Sequence, residues 1–169
     1  MPERLVSTID ITQFDHGSSE ERRAIAEQVD KACQSIGFLV VTGHGVPRQD
    51  VDDAFATSRS FFDLPNAEKR LSMSNGELSF LGYKELSTSN LAATLGAERP
   101  PDLREIYTVG VGNKFANDFA GFPGVDDLYA PNRWPRRPSD FSATHLRLYQ
   151  EMEALAERLM RIFAFSLRL

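Results

Sequence analysis

Apolar positions recur with two different periods along the chain, and the changes of period fall at glycine and proline. Leu5 to Ile11 carries apolar residues at Val6, Ile9 and Ile11 beside a polar Asp10, which predicts a first strand. Ile25, Val29, Ala32, Cys33 and Ile36 then recur at helical spacing, after Ser18 or Ser19 as cap and Glu20 and Glu21 in a first turn that favours negative charge. Gly37 suits the residue just past that helix. Phe38 to Val41 is an unbroken apolar run rich in β-branched residues, the pattern of a strand covered on both faces. Gly43-His44-Gly45 allows a tight corner, and Pro47 suits the first turn of the next helix.

That second helix runs through Val51, Ala54, Phe55, Ser58 and Phe61-Phe62 and stops at Leu64-Pro65. Asn66 to Leu71 reads as a short helix begun by Asn66. From Ser72 to Pro101 the periodicity weakens, with Gly82-Tyr83 in the middle, as in a functional loop. Leu103 to Val111 alternates again, with Leu103, Glu105, Tyr107 and Val109 on one side, and predicts a strand. A connection rich in glycine, proline and asparagine leads through Trp134-Pro135 to a final helix capped by Ser139 or Asp140. Leu148, Met152, Leu155, Leu159, Ile162 and Phe163 make its stripe, which Leu146, Tyr149, Ala156, Met160 and Phe165 widen until burial on more than one side is expected. The fold class is therefore α+β and mainly helical.

Composition narrows the function more than the fold. The 169 residues suffice for one domain with its own core. A net charge of -5 and a pI near 5.2 argue against a nucleic-acid partner. The one dense basic cluster, Arg133, Arg136 and Arg137, could meet an anion, with a solvated loop as the plainer reading. Cys33 stands alone, so no internal disulfide forms, and its place in the helical pattern makes it a small buried hydrophobe. No apolar run reaches membrane-spanning length and no secretory leader precedes the first strand, so the expectation is a cytoplasmic protein without a membrane partner.

The candidate chemistry is sparse. His44, between two glycines, reads either as a metal ligand or as a ring that hydrogen-bonds its own turn; no second ligand lies near it in sequence, which favours the turn. His145 reads as a packing histidine and His16 as an exposed one. Gly43-His44-Gly45 also suggests a dinucleotide turn, but Arg48 occupies the place of the third small residue and Pro47 removes a helix N-terminal donor. Glu105 is expected in an ion pair with Arg104 or a nearby lysine. Phe80 and Tyr83 either line a pocket or anchor the loop to the helices, and Tyr107 is a weaker candidate of the same kind.

An ordered set of segments resembles the N-terminal region of the isopenicillin N synthase-like family of non-haem iron oxygenases. The segments are Ile9-Asp10-Ile11, Ala32-Cys33 with Gly37-Phe38 through Gly43-His44-Gly45 to Pro47, Ser60-Phe61-Phe62-Asp63-Leu64-Pro65 with Glu68-Lys69, Gly82-Tyr83, Asp102-Leu103-Arg104-Glu105 and Trp134-Pro135. They run over nearly the whole chain. The resemblance implies residues 1–169 as a non-haem dioxygenase N-terminal domain, helices and a few strands that complete a double-stranded β-helix (jelly-roll) core carried by a C-terminal half. It implies Fe(II) and 2-oxoglutarate as cofactors of a full-length parent and a small organic substrate. It places Phe80, Tyr83 and Tyr107 near the substrate.

The family holds iron with a His-x-Asp…His triad, a 2-His-1-carboxylate arrangement with open positions for cosubstrate and oxygen. None of His16, His44 and His145 begins a His-x-Asp. Arg70-Leu71-Ser72 and Arg137-Pro138-Ser139 match the family's Arg-x-Ser only as strings. The resemblance therefore implies that the catalytic residues belong to the missing C-terminal half, that the catalytic and metal-ligand sets of this chain are none, and that the chain alone binds no cofactor and is inactive. The alternative is a stand-alone binding or dimerisation module, with the apolar end of the last helix as a homodimer interface.

Overall fold

A computed structural model gives the fold, and it describes residues 6–73, 81–86, 100, 103–125 and 129–169. The elements are β1 (Ser7–Asp10), a 3-10 turn (Thr12–Phe14), α1 (Ser19–Ser35), β2 (Leu39–Thr42), α2 (Arg48–Phe62), α3 (Asn66–Lys69), a 3-10 turn (Arg70–Ser72), β3 (Gly82–Lys84), β4 (Ile106–Thr108) and α4 (Phe141–Ser166). The class is α+β with short strands, in two compact units. One comprises Met1–Val51 and Tyr149–Leu169, the other Asp52–Leu148.

In the first unit β1 and β2 pair in parallel, with Ile9 opposite Val41, and α1 makes the crossover that parallel strands require. Ser18 caps α1 through a capping box with Glu21, whose carboxylate accepts from the Ser18 N–H at 2.7 Å. Ile9, Ile11, Phe14, Ile25, Val29, Ala32 and Ile162 form the core, with Leu39, Val41, Leu155, Leu159 and Phe163 against it. Arg158 of α4 ties this unit together: it donates to the carbonyls of Ile11, Thr12 and Gly43, and its Nε stands 2.6 Å from the Asp15 carboxylate.

Three expectations change here. Cys33 is exposed, because Ala32 takes the inward position and the next residue turns away by a helical step. The β2 run is covered on one side only: Leu39 and Val41 face the core, while Phe38 is 72% and Val40 49% exposed. The wider face expected of the last helix is open too, with Met160, Phe165 and Leu146 exposed.

The second unit is organised around aromatic rings. Phe61, Tyr83 and Phe141 are fully buried, and Phe62, Leu64, Met73, Tyr107 and Trp134 close around them. Phe61 meets Tyr107 at 4.9 Å, Phe141 at 5.2 Å and Tyr83 at 5.7 Å between ring centres, mostly edge to face, the arrangement the ring quadrupoles prefer. Strands β3 and β4 pair antiparallel with Tyr83 directly opposite Tyr107. The strand expected over Leu103 to Val111 is thus three residues long, and Leu103 is exposed. Phe55 points to solvent, since α2 buries Ala54, Thr57 and Phe61 instead. Asn66 lies inside α3 and caps nothing; Pro65 holds the N-cap position.

Candidate functional site

The Gly43-His44-Gly45 corner comes first because it marks the end of β2. Gly37, Gly43 and Gly45 all have positive φ. At Gly43 the need is steric as well, for a Cβ there would meet Thr12 Oγ1 at 2.0 Å and Asp10 Oδ1 at 2.3 Å. Those side chains form their own turn: the Asp10 carboxylate accepts from the Thr12 hydroxyl at 2.6 Å and its N–H at 2.9 Å, which holds the carboxyl below its ordinary range. His44 Nδ1 accepts from the Val46 N–H at 3.1 Å, so its lone pair serves the turn. The corner is structural.

The strongest cluster of titratable groups lies at the start of β4. The hydroxyl of Ser72 donates to the Lys69 carbonyl at 2.8 Å, which fixes the turn carrying Lys69. Lys69 is 4% exposed and donates to the Phe62 carbonyl at 3.1 Å and to Glu105 Oε2 at 2.7 Å. Tyr83 donates its hydroxyl to the same oxygen at 2.6 Å, and the Lys69 ammonium stands 5.6 Å from the Tyr83 ring centre. Beside it Arg70 grips Glu85 with Nε and one terminal nitrogen, a two-point pair with a shortest contact of 2.6 Å.

Electrostatics decide what this cluster can do. Burial pushes the Glu105 carboxyl up, but the hydrogen bonds from Lys69 and Tyr83 outweigh it and leave the group below its usual range. Burial, together with the hydrogen bond to Glu105, pushes the Tyr83 hydroxyl well above its usual range. Glu105 is therefore a weak base and Tyr83 a weak acid at neutral pH, the reverse of a poised proton-transfer pair. The cluster holds α3, β3 and β4 in place.

Of the substrate-proximal candidates, Tyr83 and Tyr107 are brought together in the aromatic core, and Phe80 lies outside the described residues. Tyr107 donates its hydroxyl to the Arg133 carbonyl, and burial raises its pKa well above the usual value. His145 stacks on Phe141 with ring centres 4.0 Å apart, its Nδ1 2.8 Å from the Phe141 carbonyl and its Nε2 3.0 Å from the Ser58 hydroxyl. A carbonyl partner requires a proton on Nδ1, so in the neutral ring Nε2 accepts from Ser58. His16 is exposed. Among the described residues no three His, Cys, Asp or Glu side chains come together as a metal site.

Sequence reading placed Glu105 in an ion pair but could not choose its partner, since Lys69 is 36 positions away. It missed two clamps entirely. One is Arg158. The other is Asn132, whose side-chain amide donates to the Gly110 carbonyl and accepts from the Gly110 N–H, each at 2.8 Å, and so closes the connection between them. An asparagine in a loop carries no signal of such pairing.

A family model described as non-haem dioxygenase in morphine synthesis N-terminal matches residues 6–137. Clavatol oxidase of Penicillium crustosum is 31% identical over 98% of this chain and 51% of its own length. Validamycin A dioxygenase of Streptomyces hygroscopicus subsp. limoneus is 29% identical over 94% of this chain and 42% of its own. The chain thus spans about half the length of the curated relatives it matches. Among solved structures, a full-length Neurospora crassa protein in complex with alpha-KG and thymine superposes with a TM-score of 0.72 at 22% identity, over 97% of this chain and 49% of that one. No helix among the described residues is long and apolar enough to cross a membrane.

Proposed function

The chain belongs to the non-haem dioxygenase N-terminal family, and we propose that it serves as the N-terminal half of an Fe(II)- and 2-oxoglutarate-dependent oxygenase that oxidises a small organic molecule. The observation that carries this reading is the extent of the match: nearly all of this chain aligns with about half of several oxygenase relatives. The catalytic domain, with the metal ligands and the 2-oxoglutarate site, is the other half. The chain alone is inactive and binds neither Fe(II) nor 2-oxoglutarate.

The uncovered side of β2 supports the same reading. Its outward residues, Phe38 and Val40, are large and apolar, and it is hydrogen-bonded to β1 along one edge. Additional strands laid along the other edge of β2 and over this face would bury them, as a jelly-roll contributed by the second half requires. Tyr83 and Tyr107 then act as the fixed backing of the substrate mouth, with their hydroxyls already engaged.

The test is to read the coding sequence beyond Leu169 and express the extended polypeptide. Expected there are His-x-Asp, a later His and Arg-x-Ser in that order, and 2-oxoglutarate decarboxylation dependent on Fe(II). A downstream sequence without them overturns the reading.

A further inference from the structure

Within the second unit, α3 and the stretch after Trp134 enclose a cleft of about 210 Å³ lined by Leu64, Glu68, Leu71, Pro135, Arg136 and Arg137. Its chemistry is one-sided: three apolar residues, two guanidinium groups and a single carboxylate. In a chain with a net charge of -5 such a local positive surplus stands out.

Neither guanidinium is held by a hydrogen bond among the described residues, and Arg137 has only a long ion pair with Glu68. The Arg137 Nε lies 3.9 Å from the Glu68 carboxylate, beyond hydrogen-bond length, and the Arg137 side chain is 72% exposed. Arg136 is exposed and has no hydrogen-bond or ion-pair partner among the described residues. Leu71 contributes an apolar surface that is 58% exposed.

The walls, in contrast, are fixed from behind. Trp134 packs against the buried Phe141 ring, the Arg133 carbonyl accepts from Tyr107, and the Phe141 N–H donates to the Pro138 carbonyl at 3.2 Å. On the opposite side Lys69 and Arg70 tie the turn that carries Leu71 to Glu105 and Glu85. The backbone of the cleft is therefore ordered before anything enters it, which lowers the entropic cost of binding.

We propose that this cleft binds a small organic monocarboxylate. The carboxylate meets the Arg136 and Arg137 forks, whose planar donors match its two oxygens, and the apolar body rests on Leu64, Leu71 and Pro135. The volume suits a compact ring or a short branched chain. Glu68 sits at the rim as a competitor for Arg137, so it weakens the site when ionised. This site is independent of the oxygenase reading.

The experiment is titration of the chain with sodium benzoate and, separately, with inorganic phosphate, followed by amide chemical shifts. Benzoate should shift the amides of Leu64, Leu71, Arg136 and Arg137 saturably. The double variant Arg136→Ala/Arg137→Ala should weaken benzoate by about tenfold or more, the scale of a lost charge-assisted pair, while the melting temperature stays unchanged. Glu68→Gln should tighten it. Benzoate binding that survives the double variant, or shifts confined to residues elsewhere, overturns the site. Phosphate binding as tight as benzoate overturns the ligand class, because phosphate makes no use of the apolar floor.

Discussion

The ammonium of Lys69 lies 2.7 Å from the carboxylate of Glu105, although the two residues are 36 positions apart and the Lys69 side chain is only 5% exposed. Removing one partner leaves the other charge buried without compensation, which costs more than the pair itself contributes. Glu105→Gln should therefore destabilise the chain by about 3 kcal/mol, the lower end of that range because its side chain is 29% exposed. Lys69→Met should cost less, since Tyr83 still donates to Glu105. Chemical denaturation of both single variants and the double variant tests this; the double should lose less than the sum.

The same pair sets a pH dependence. The folded state holds the Glu105 carboxyl below its ordinary value, so the stability it contributes is present above the unfolded pKa, about 4.3, and is lost as pH falls through the folded one. Denaturation between pH 6 and pH 3, about two units around that value, should show a shallower fall for Glu105→Gln than for the parent chain.

At the alkaline end the sign reverses. Tyr83 and Tyr107 have raised pKa values, so their neutral forms stabilise the fold below about pH 10 and that contribution is lost as pH rises further. Of the four tyrosines in the chain, these two should ionise late in an ultraviolet titration, and together with unfolding.

Gly43 and Gly45 offer a matched comparison, because both have positive φ but only Gly43 is crowded. Alanine at Gly45 meets nothing within 4 Å and should cost about 1 kcal/mol from backbone strain alone. Gly43→Ala must also displace the Asp10–Thr12 turn and should cost visibly more. Gly82→Ala belongs with Gly43, since its Cβ would meet the Ser72 carbonyl at 2.4 Å. Melting temperatures of the three variants give the order.

Much of this was legible in the sequence, and the failures have physical reasons. Helix α1, the corner at Gly43 and the half-buried His145 followed from local pattern, and of the two caps offered, Ser18 and Ser19, the structure uses Ser18. Local pattern could not say how much of an apolar surface the rest of the chain covers. Hence Phe38, Val40, Phe55 and Met160 were expected inside and lie outside. Cys33 failed for a narrower reason: two adjacent small residues compete for one inward position, and periodicity alone does not choose Ala32. At the site, the ordered motifs gave the family, and an ion pair was the plain expectation for Glu105, with Arg104 or a nearby lysine rather than the distant Lys69 as its partner. The clamps made by Lys69, Asn132 and Arg158 depend on contacts far apart in sequence.

The central claim, that the chemistry belongs to a half of the protein beyond these residues, is tested most directly by anaerobic titration with Fe(II) and 2-oxoglutarate, watched for the visible metal-to-cosubstrate charge-transfer band. The account predicts no stoichiometric band for residues 1–169 and a full band for the polypeptide extended through its downstream half. A stoichiometric band from residues 1–169 alone would contradict it.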